Sequence, residues 1–87
     1  MNTLFSRQAG EDYLHWKRYD PGIARRIDEL LEEIARSPLE GAGKPLALRH
    51  ALSGYGSRRI AGEHRLVYRL EAEQGVVRVV QCRHHHE

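Results

Sequence analysis

The sequence predicts an α+β fold in which an antiparallel sheet of four to five strands carries an N-terminal two-helix hairpin on one face. Three observations support this prediction. An apolar stripe with helical spacing runs through the first half of the chain, turn-forming residues follow it, and alternating or β-branched runs fill the second half. With 87 residues, the chain is expected to form a single domain over 1–87.

The first half reads as a short strand followed by two helices. Residues 2–6 suit the strand, and Ser6 suits the N-cap of a first helix over residues 8–19. Glu11 and Asp12 would lie in its first turn, where the helix dipole favours acids. Asp20 and Pro21 then form an N-cap and first helical position for a second helix. That helix carries the apolar stripe, which consists of Ile23, Ile27, Leu30, Leu31 and Ile34.

The second half reads as turns and strands. Residues 38–45 hold two prolines and two glycines and predict a loop, and residues 46–52 fit either a short strand or one helical turn. Two strands joined by a tight turn at residues 61–63 follow, and residues 71–75 form a second hairpin loop. The β-branched run 76–82 predicts a central strand. If the strand continued, Arg83 and His85 would lie on one face of the sheet and His84 and His86 on the other.

Composition limits the classes of protein that remain. No apolar run is long enough for a signal peptide or a membrane span, so no membrane partner is expected. Cys82 is the single cysteine, which excludes an intrachain disulfide and fits a reducing compartment such as the cytoplasm. The simplest interpretation of Cys82 is a small buried strand residue.

The net charge of +2 is unevenly distributed. Six acids stand against three bases in residues 20–40, whereas six bases stand against Glu63 alone in residues 41–70. The helices would cover one face of the sheet, so the open face would carry arginines 58, 59, 65 and 69 and bind an anion such as phosphate. Surface salt bridges to Glu63 or Glu71 are the competing interpretation, but the acids are too few to pair with these bases.

Three histidines, 84–86, follow Arg83. A histidine beside arginines can act as a general acid near neutral pH. Cleavage of RNA by its own 2′-hydroxyl needs a base for that hydroxyl, positive charge for the phosphorane, and an acid for the leaving 5′-oxygen. Arginine and histidine supply the last two, and no base is obvious. A zinc site from His84 and His86 is an alternative, although two ligands at strand spacing without a cysteine pair are weak evidence.

Motifs spread over nearly the whole chain resemble the YoeB toxins of the RelE superfamily. They are Asp12-Tyr13-Leu14, Trp16, Asp20, Ser37-Pro38-Leu39-Glu40-Gly41, Gly43-Lys44-Pro45, Leu48-Arg49-His50, Leu52-Ser53-Gly54, Ser57-Arg58-Arg59-Ile60, Glu63-His64-Arg65-Leu66-Val67-Tyr68 and Cys82-Arg83-His84-His85. The resemblance implies a microbial-RNase-like fold and a ribosome-dependent endonuclease that cuts mRNA in the A site without a metal or other cofactor. It also implies a YefM-like antitoxin as partner, the ribosome and mRNA as targets, and homodimers.

The resemblance also assigns roles to individual residues. The arginine that stabilises the phosphate falls on Arg65, and the general-acid histidine falls on His85. Substrate-contacting basic positions fall on Arg49 and Arg59, and Lys44 belongs to the same basic set. Arg58 and Arg69 would only support the electrostatic field.

Two departures from the family pattern bear on activity. Leu46 occupies the position of the general-base glutamate, and His86 replaces a terminal tyrosine. His86 or His50 would have to act as base; if neither does, we expect a weak nuclease, because general acid–base catalysis contributes about 10²–10⁴-fold. The alternative is an inactive homologue that binds antitoxin or ribosome. A gyrase-poisoning relative fits less well, because the basic run and terminal histidine are retained.

Overall fold

The computed structural model of the protein describes residues 2–37 and 55–84, together with the backbone of residues 46–47. Its elements, in chain order, are β1 (Asn2–Phe5), α1 (Arg7–Tyr19), α2 (Pro21–Arg36), β2 (Leu46–Ala47), β3 (Tyr55–Ala61), β4 (His64–Glu71), a short 3-10 turn (Ala72–Gln74) and β5 (Val76–Gln81). The α+β prediction is confirmed. Within these described ranges, neither helix is long and apolar enough to cross a membrane. The predicted loop 38–45 lies outside the described residues.

The five strands form one sheet in the order β1-β5-β4-β3-β2. The predicted antiparallel arrangement holds for β2 through β5, with the β3–β4 turn at the expected place. β1 is parallel to β5, with Asn2 opposite Val76 and Phe5 opposite Val79, so the sheet is mixed. The antiparallel prediction therefore does not extend to β1, because nothing in a four-residue strand specifies which neighbour it will join.

Ser6 caps α1, as predicted, and the helix begins one residue earlier than the sequence suggested. The Ser6 hydroxyl accepts a hydrogen bond from the Ala9 amide at 3.0 Å and donates one to the Val80 carbonyl at 2.8 Å. The helix therefore begins at Arg7 and is tied to β5 at that point. The expectation that Glu11 and Asp12 occupy the first turn is consequently wrong. Asp12 instead points into the protein, where it is buried.

The two helices pack on one face of the sheet, as predicted. The Asp20 amide donates to the Trp16 carbonyl at 2.8 Å and ends α1, and Pro21 begins α2 at once. The α2 stripe then buries Ile27, Leu30 and Ile34 completely. These side chains meet the inward side chains of β3, β4 and β5, which include Ile60, Leu66, Tyr68, Val77 and Val79. Burial of each large apolar side chain contributes roughly 1.5–3 kcal/mol, so this layer supplies most of the stability.

The arginines of β3 lie on opposite faces of the sheet. Arg58 points towards the helices with a side chain that is 0% exposed, whereas Arg59 is exposed on the other face. The Arg58 Nη2 donates to the Ser37 carbonyl at 2.8 Å, and its Nη1 lies 3.8 Å from the Glu33 Oε2. The expectation that the open face carries Arg58 is therefore wrong. Consecutive strand residues alternate faces, so two adjacent arginines cannot share one.

Removal of the Arg58 side chain should destabilise the protein far more than removal of its neighbour. Arg58→Ala leaves Glu33 and the end of α2 without these contacts, and we expect a loss of about 2–4 kcal/mol in the free energy of unfolding. Arg59→Ala should change it by less than about 0.5 kcal/mol, because that side chain is exposed. Urea unfolding of the two variants beside the parent measures both values. Equal losses would contradict the assignment of Arg58 to the helix face.

Candidate active site

Two arginines stand directly opposite each other on the face of the sheet that the helices leave open. Arg59 of β3 and Arg65 of β4 are register partners. Like charges at directly opposed positions repel. Partial burial lowers the pKa of Arg65, and the neighbouring charge of Arg59 lowers it further. An anion between these side chains would relieve that repulsion, so the pair suits a phosphate group.

Ser57 orients the Arg65 guanidinium. The Arg65 Nε donates to the Ser57 Oγ at 3.0 Å, and its Nη2 donates to the Ser57 carbonyl at 3.4 Å. Ser57 itself is fully buried, which makes it a fixed anchor. The side chain of Arg65 is therefore held in place before any ligand arrives. This role of Ser57 was not predicted, although Ser57 lies two residues before Arg59 and therefore shares its face of β3.

The position of Leu46 is defined at the level of the backbone. β2 pairs antiparallel with β3, and Leu46 is the register partner of Ser57. Of the two alternatives for residues 46–52, the strand is therefore confirmed for Leu46–Ala47. Residue 46 thus shares a cross-strand row with the serine that orients Arg65. Neighbouring strands lie about 4.8 Å apart, so this row places residue 46 within a few ångströms of the site.

Buried hydrogen bonds fix the segment Cys82–His84, called the tail below. The Asp12 Oδ2 accepts the Cys82 amide at 3.0 Å, and the Trp16 Nε1 donates to the Cys82 carbonyl at 2.8 Å. Both helix residues are buried. One turn of α1 therefore holds the chain as it leaves β5. In the sequence Asp12 and Trp16 stand out only as motif residues, although their spacing of four places them on one helix face and is a signal for a shared function.

Cys82 is a buried thiol, as expected. Burial raises its pKa to about 12, and the negative charge of Asp12 contributes to the same shift. The thiolate is the reactive form of cysteine, so this group is chemically inert at neutral pH. The strand itself ends at Gln81, one residue earlier than predicted.

The tail ends beside Arg65. The His84 carbonyl accepts the Arg65 amide at 3.1 Å, and the His84 amide donates to the His64 Nδ1 at 2.8 Å. The backbone of His84 is left-handed, with φ of 63°. The expected strand-like alternation of residues 83–86 is therefore wrong for Arg83 and His84. The chain turns towards β4 here instead of continuing along β5.

Glu63, His64 and His84 form a small cluster at this turn, with ligand atoms within 4.8 Å of one another. The His84 Nδ1 lies 3.2 Å from the Glu63 Oε2. The His64 Nδ1 lone pair, however, already accepts the His84 amide, and a cation would have to displace that hydrogen. The donor set thus fits a hydrogen-bonded cluster better than a metal site. The alternative zinc pair includes His86, which lies outside the described residues.

The remaining predicted site residues divide into two groups. Arg69 places its Cζ 5.4 Å from the centre of the Tyr55 ring, and it lies on the same face as Arg65. A supporting electrostatic role for Arg69 fits that position. Lys44, Arg49, His50 and His85, like His86, fall outside the described residues, and their roles stay predictions.

Comparison with known proteins identifies the family. Residues 5–86 match the model of the YoeB-like toxins of bacterial type II toxin–antitoxin systems. The chain belongs to the YoeB family. It is 42% identical to the toxin YoeB of Escherichia coli K12 over 86 residues, which cover 99% of this chain and all of that protein. It is 48% identical to the toxin RelK of Mycobacterium tuberculosis over 82 residues, 94% of each chain. The resemblance drawn from the sequence motifs is confirmed.

Solved YoeB structures share the whole fold. The YoeB dimer from Staphylococcus aureus superimposes with a TM-score of 0.90 at 42% identity, covering 99% of this chain and 98% of that one. The YoeB/ParE toxin from Agrobacterium tumefaciens gives a TM-score of 0.92 at 37% identity, covering 99% and 100%. A heterotetrameric YoeB–YefM complex from S. aureus gives 0.87 at 42% identity, with coverage of 99% and 98%. The fold that positions Arg59, Arg65 and the tail is thus the YoeB fold.

The raised pKa of Cys82 predicts a loss of stability in alkali. The unfolded thiol releases its proton near its ordinary pKa of 9.0, whereas the folded thiol keeps it to about 12. Above about pH 9 the unfolded state therefore binds fewer protons, and the free energy of unfolding falls by up to about 1.4 kcal/mol per pH unit. Urea unfolding between about pH 8 and pH 10.5 measures this slope. Cys82→Ala should lack this part of it, and an unchanged slope in that variant would refute the assignment.

Proposed function

We propose that this YoeB family member is an endoribonuclease that cuts mRNA in the ribosomal A site, in the cytoplasm, by acid–base catalysis without a metal. The observation that carries the proposal is the arrangement around Arg65. Ser57 orients the guanidinium of Arg65, and Arg59 lies opposite on the neighbouring strand. The backbone amide of Arg65 binds the tail. This arrangement concentrates fixed positive charge beside His84, the last residue of the tail. Such preorganised charge is what phosphoryl transfer requires.

The reaction uses the RNA as its own nucleophile. The 2′-oxygen attacks the adjacent phosphorus and loses its proton to a base, and the bond to the 5′-oxygen breaks as that oxygen gains a proton. The products are a 2′,3′-cyclic phosphate and a 5′-hydroxyl, so atoms and charge balance. Arg65 stabilises the extra negative charge on the pentacoordinate phosphorus, and Arg59 contacts the substrate. In this proposal Lys44 and Arg49 contact the RNA as well.

His85 is proposed as the general acid. It follows His84 directly in the chain, and His84 is hydrogen-bonded to Arg65 through its carbonyl. Imidazole can donate a proton near neutral pH, and the leaving 5′-oxygen needs one.

The general base is the catalytic group for which this chain offers no clear residue. Leu46 has no group that accepts a proton, yet its backbone lies in the same cross-strand row as Ser57. The proposed nuclease is therefore attenuated unless His50 or His86 takes the proton. The same residue motivates a second candidate function, an inactive homologue that acts by binding its antitoxin or the ribosome.

A YefM-like antitoxin is the proposed protein partner. The support is the S. aureus YoeB–YefM complex, whose toxin is 42% identical to this chain and covers 99% of it. The S. aureus YoeB dimer supports homodimer formation in the same way. The ribosome is proposed as the site of action because the open, arginine-bearing face suits an RNA-rich surface.

Removal of the Arg65 charge and removal of the proposed acid His85 should each reduce the rate of cleavage. In a translating extract with primer extension as the readout, Arg65→Ala should slow A-site cleavage by about 10²–10³-fold and His85→Ala by about 10²–10⁴-fold. Arg25→Ala, which removes an exposed arginine of α2, is the matched control and should cut like the parent. If Arg65→Ala and His85→Ala cut as fast as the control, the assigned roles are wrong.

Restoration of a carboxylate at position 46 should separate the two candidate functions. Leu46→Glu is expected to raise the cleavage rate by about 10²-fold or more, because it supplies a base. Leu46→Gln is the matched control, with a similar shape and polarity but without a basic carboxylate, and should not accelerate cleavage. Undetectable parent cleavage with rescue by Leu46→Glu favours the binding module. Robust parent cleavage that Leu46→Glu leaves unchanged would show that another residue is the base.

A further inference from the structure

His64 supports the tail in a way that neither the sequence motifs nor the proposed chemistry requires. Its Nδ1 accepts the amide of His84 at 2.8 Å. An acceptor nitrogen carries no proton, so the His64 ring in this arrangement is neutral, with its hydrogen on Nε2. Trp16 packs against this ring edge-on, with ring centres 4.8 Å apart and planes at 76°.

Two neighbouring residues of β4 hold one residue of the tail. His64 binds the amide of His84, and Arg65 binds its carbonyl at 3.1 Å. The left-handed backbone of His84, φ 63°, is unfavourable for a side chain with a Cβ and persists only where surrounding contacts require it. These two hydrogen bonds are such contacts. They redirect the chain from β5 towards Arg65.

The polar contact of the His84 side chain with Glu63 is weaker. The His84 Nδ1 lies 3.2 Å from the Glu63 Oε2, but these side chains are 50% and 72% exposed. Exposed pairs of this kind contribute little and are screened by salt. The His64 ring, by contrast, is half-buried beside Trp16, whose Nε1 also binds the Cys82 carbonyl. His64 and Trp16 therefore form the more rigid support.

We propose that His64 is a positioning residue: its unprotonated Nδ1 fixes the path of the tail beside Arg65 and thereby the point from which the chain continues to His85, the proposed general acid. This inference rests on the proposed nuclease function. His64 itself transfers no proton in this scheme. Its effect is geometric, and a small misplacement of a proton donor reduces the rate of the chemical step.

Asparagine and glutamine at position 64 provide a matched pair of variants. The side-chain oxygen of asparagine can occupy the place of Nδ1, whereas glutamine carries its polar atoms to the place of Nε2. His64→Asn should therefore keep the hydrogen bond to the His84 amide, and His64→Gln should lose it. Both remove the ring next to Trp16, so any general packing effect is common to the two. Urea unfolding establishes that both variants fold.

The first measurement is independent of cleavage. NMR of the parent should show His64 with a bare Nδ1 and a protonated Nε2. Hydrogen exchange at the His84 amide should be similar in the parent and His64→Asn, and roughly 3- to 10-fold faster in His64→Gln. A protonated Nδ1 in the parent, or equal exchange in all three proteins, would overturn the inference.

The second measurement tests the consequence for catalysis, in the Leu46→Glu background. His64→Gln should lower kcat roughly 3- to 10-fold with KM unchanged, and His64→Asn should restore most of it. Equal kcat in both variants, or a change in KM alone, would overturn the positioning role. If Leu46→Glu itself cuts no RNA, the proposed nuclease function fails, and exchange at the His84 amide alone decides whether His64 fixes the tail.

Discussion

The alternation of side chains along the β3–β4 hairpin is the constraint on which the rest of this molecule depends. Because the helices can cover only one face of the sheet, every residue of these strands belongs either to the core or to the open face. Arg58 faces inwards and joins α2 to the sheet, while Arg59, its neighbour, meets Arg65 outside. One pair of adjacent arginines thus divides into a structural residue and a candidate substrate contact.

The site is assembled from segments that are far apart in sequence but rigidly joined. Ser57 orients Arg65 from the adjacent strand, and α1 holds the tail through Asp12 and Trp16. Ser57, Asp12 and Trp16 are all buried, so Arg65 and the tail are held by side chains with little freedom to move. The helix pair therefore does more than cover the sheet, since one turn of α1 also determines where the chain goes after β5.

The sequence was a good guide to the elements and to the family, and a poorer guide to direction and support. The α2 stripe and the alternation in β4 reflect strong periodic patterns, and the predicted burial followed. The partner of β1 and the turn at His84 depend on tertiary contacts that leave no periodic signal. The alternation of β3 does place Arg58 on the face of Ile60, but its burial there depends on its contacts with Glu33 and Ser37. Ser57 and His64 act through single hydrogen bonds, and a lone serine or histidine has too many ordinary uses to be identified in advance. The roles of Lys44, Arg49, His85 and His86 stay predictions.

The pairing of β1 with β5 has a consequence for how the protein acquires its shape. Asn2 meets Val76 across this pair, so strands from opposite ends of the described chain must find each other before the sheet is complete. Contacts of such long sequence separation are slow to form, because the chain between them must lose conformational entropy before the contacts can stabilise it. Closure of this pair also orders β5, which leads directly into the tail. We therefore expect the helices and the central hairpin to be able to form early, while the geometry around Arg65 is completed late in folding.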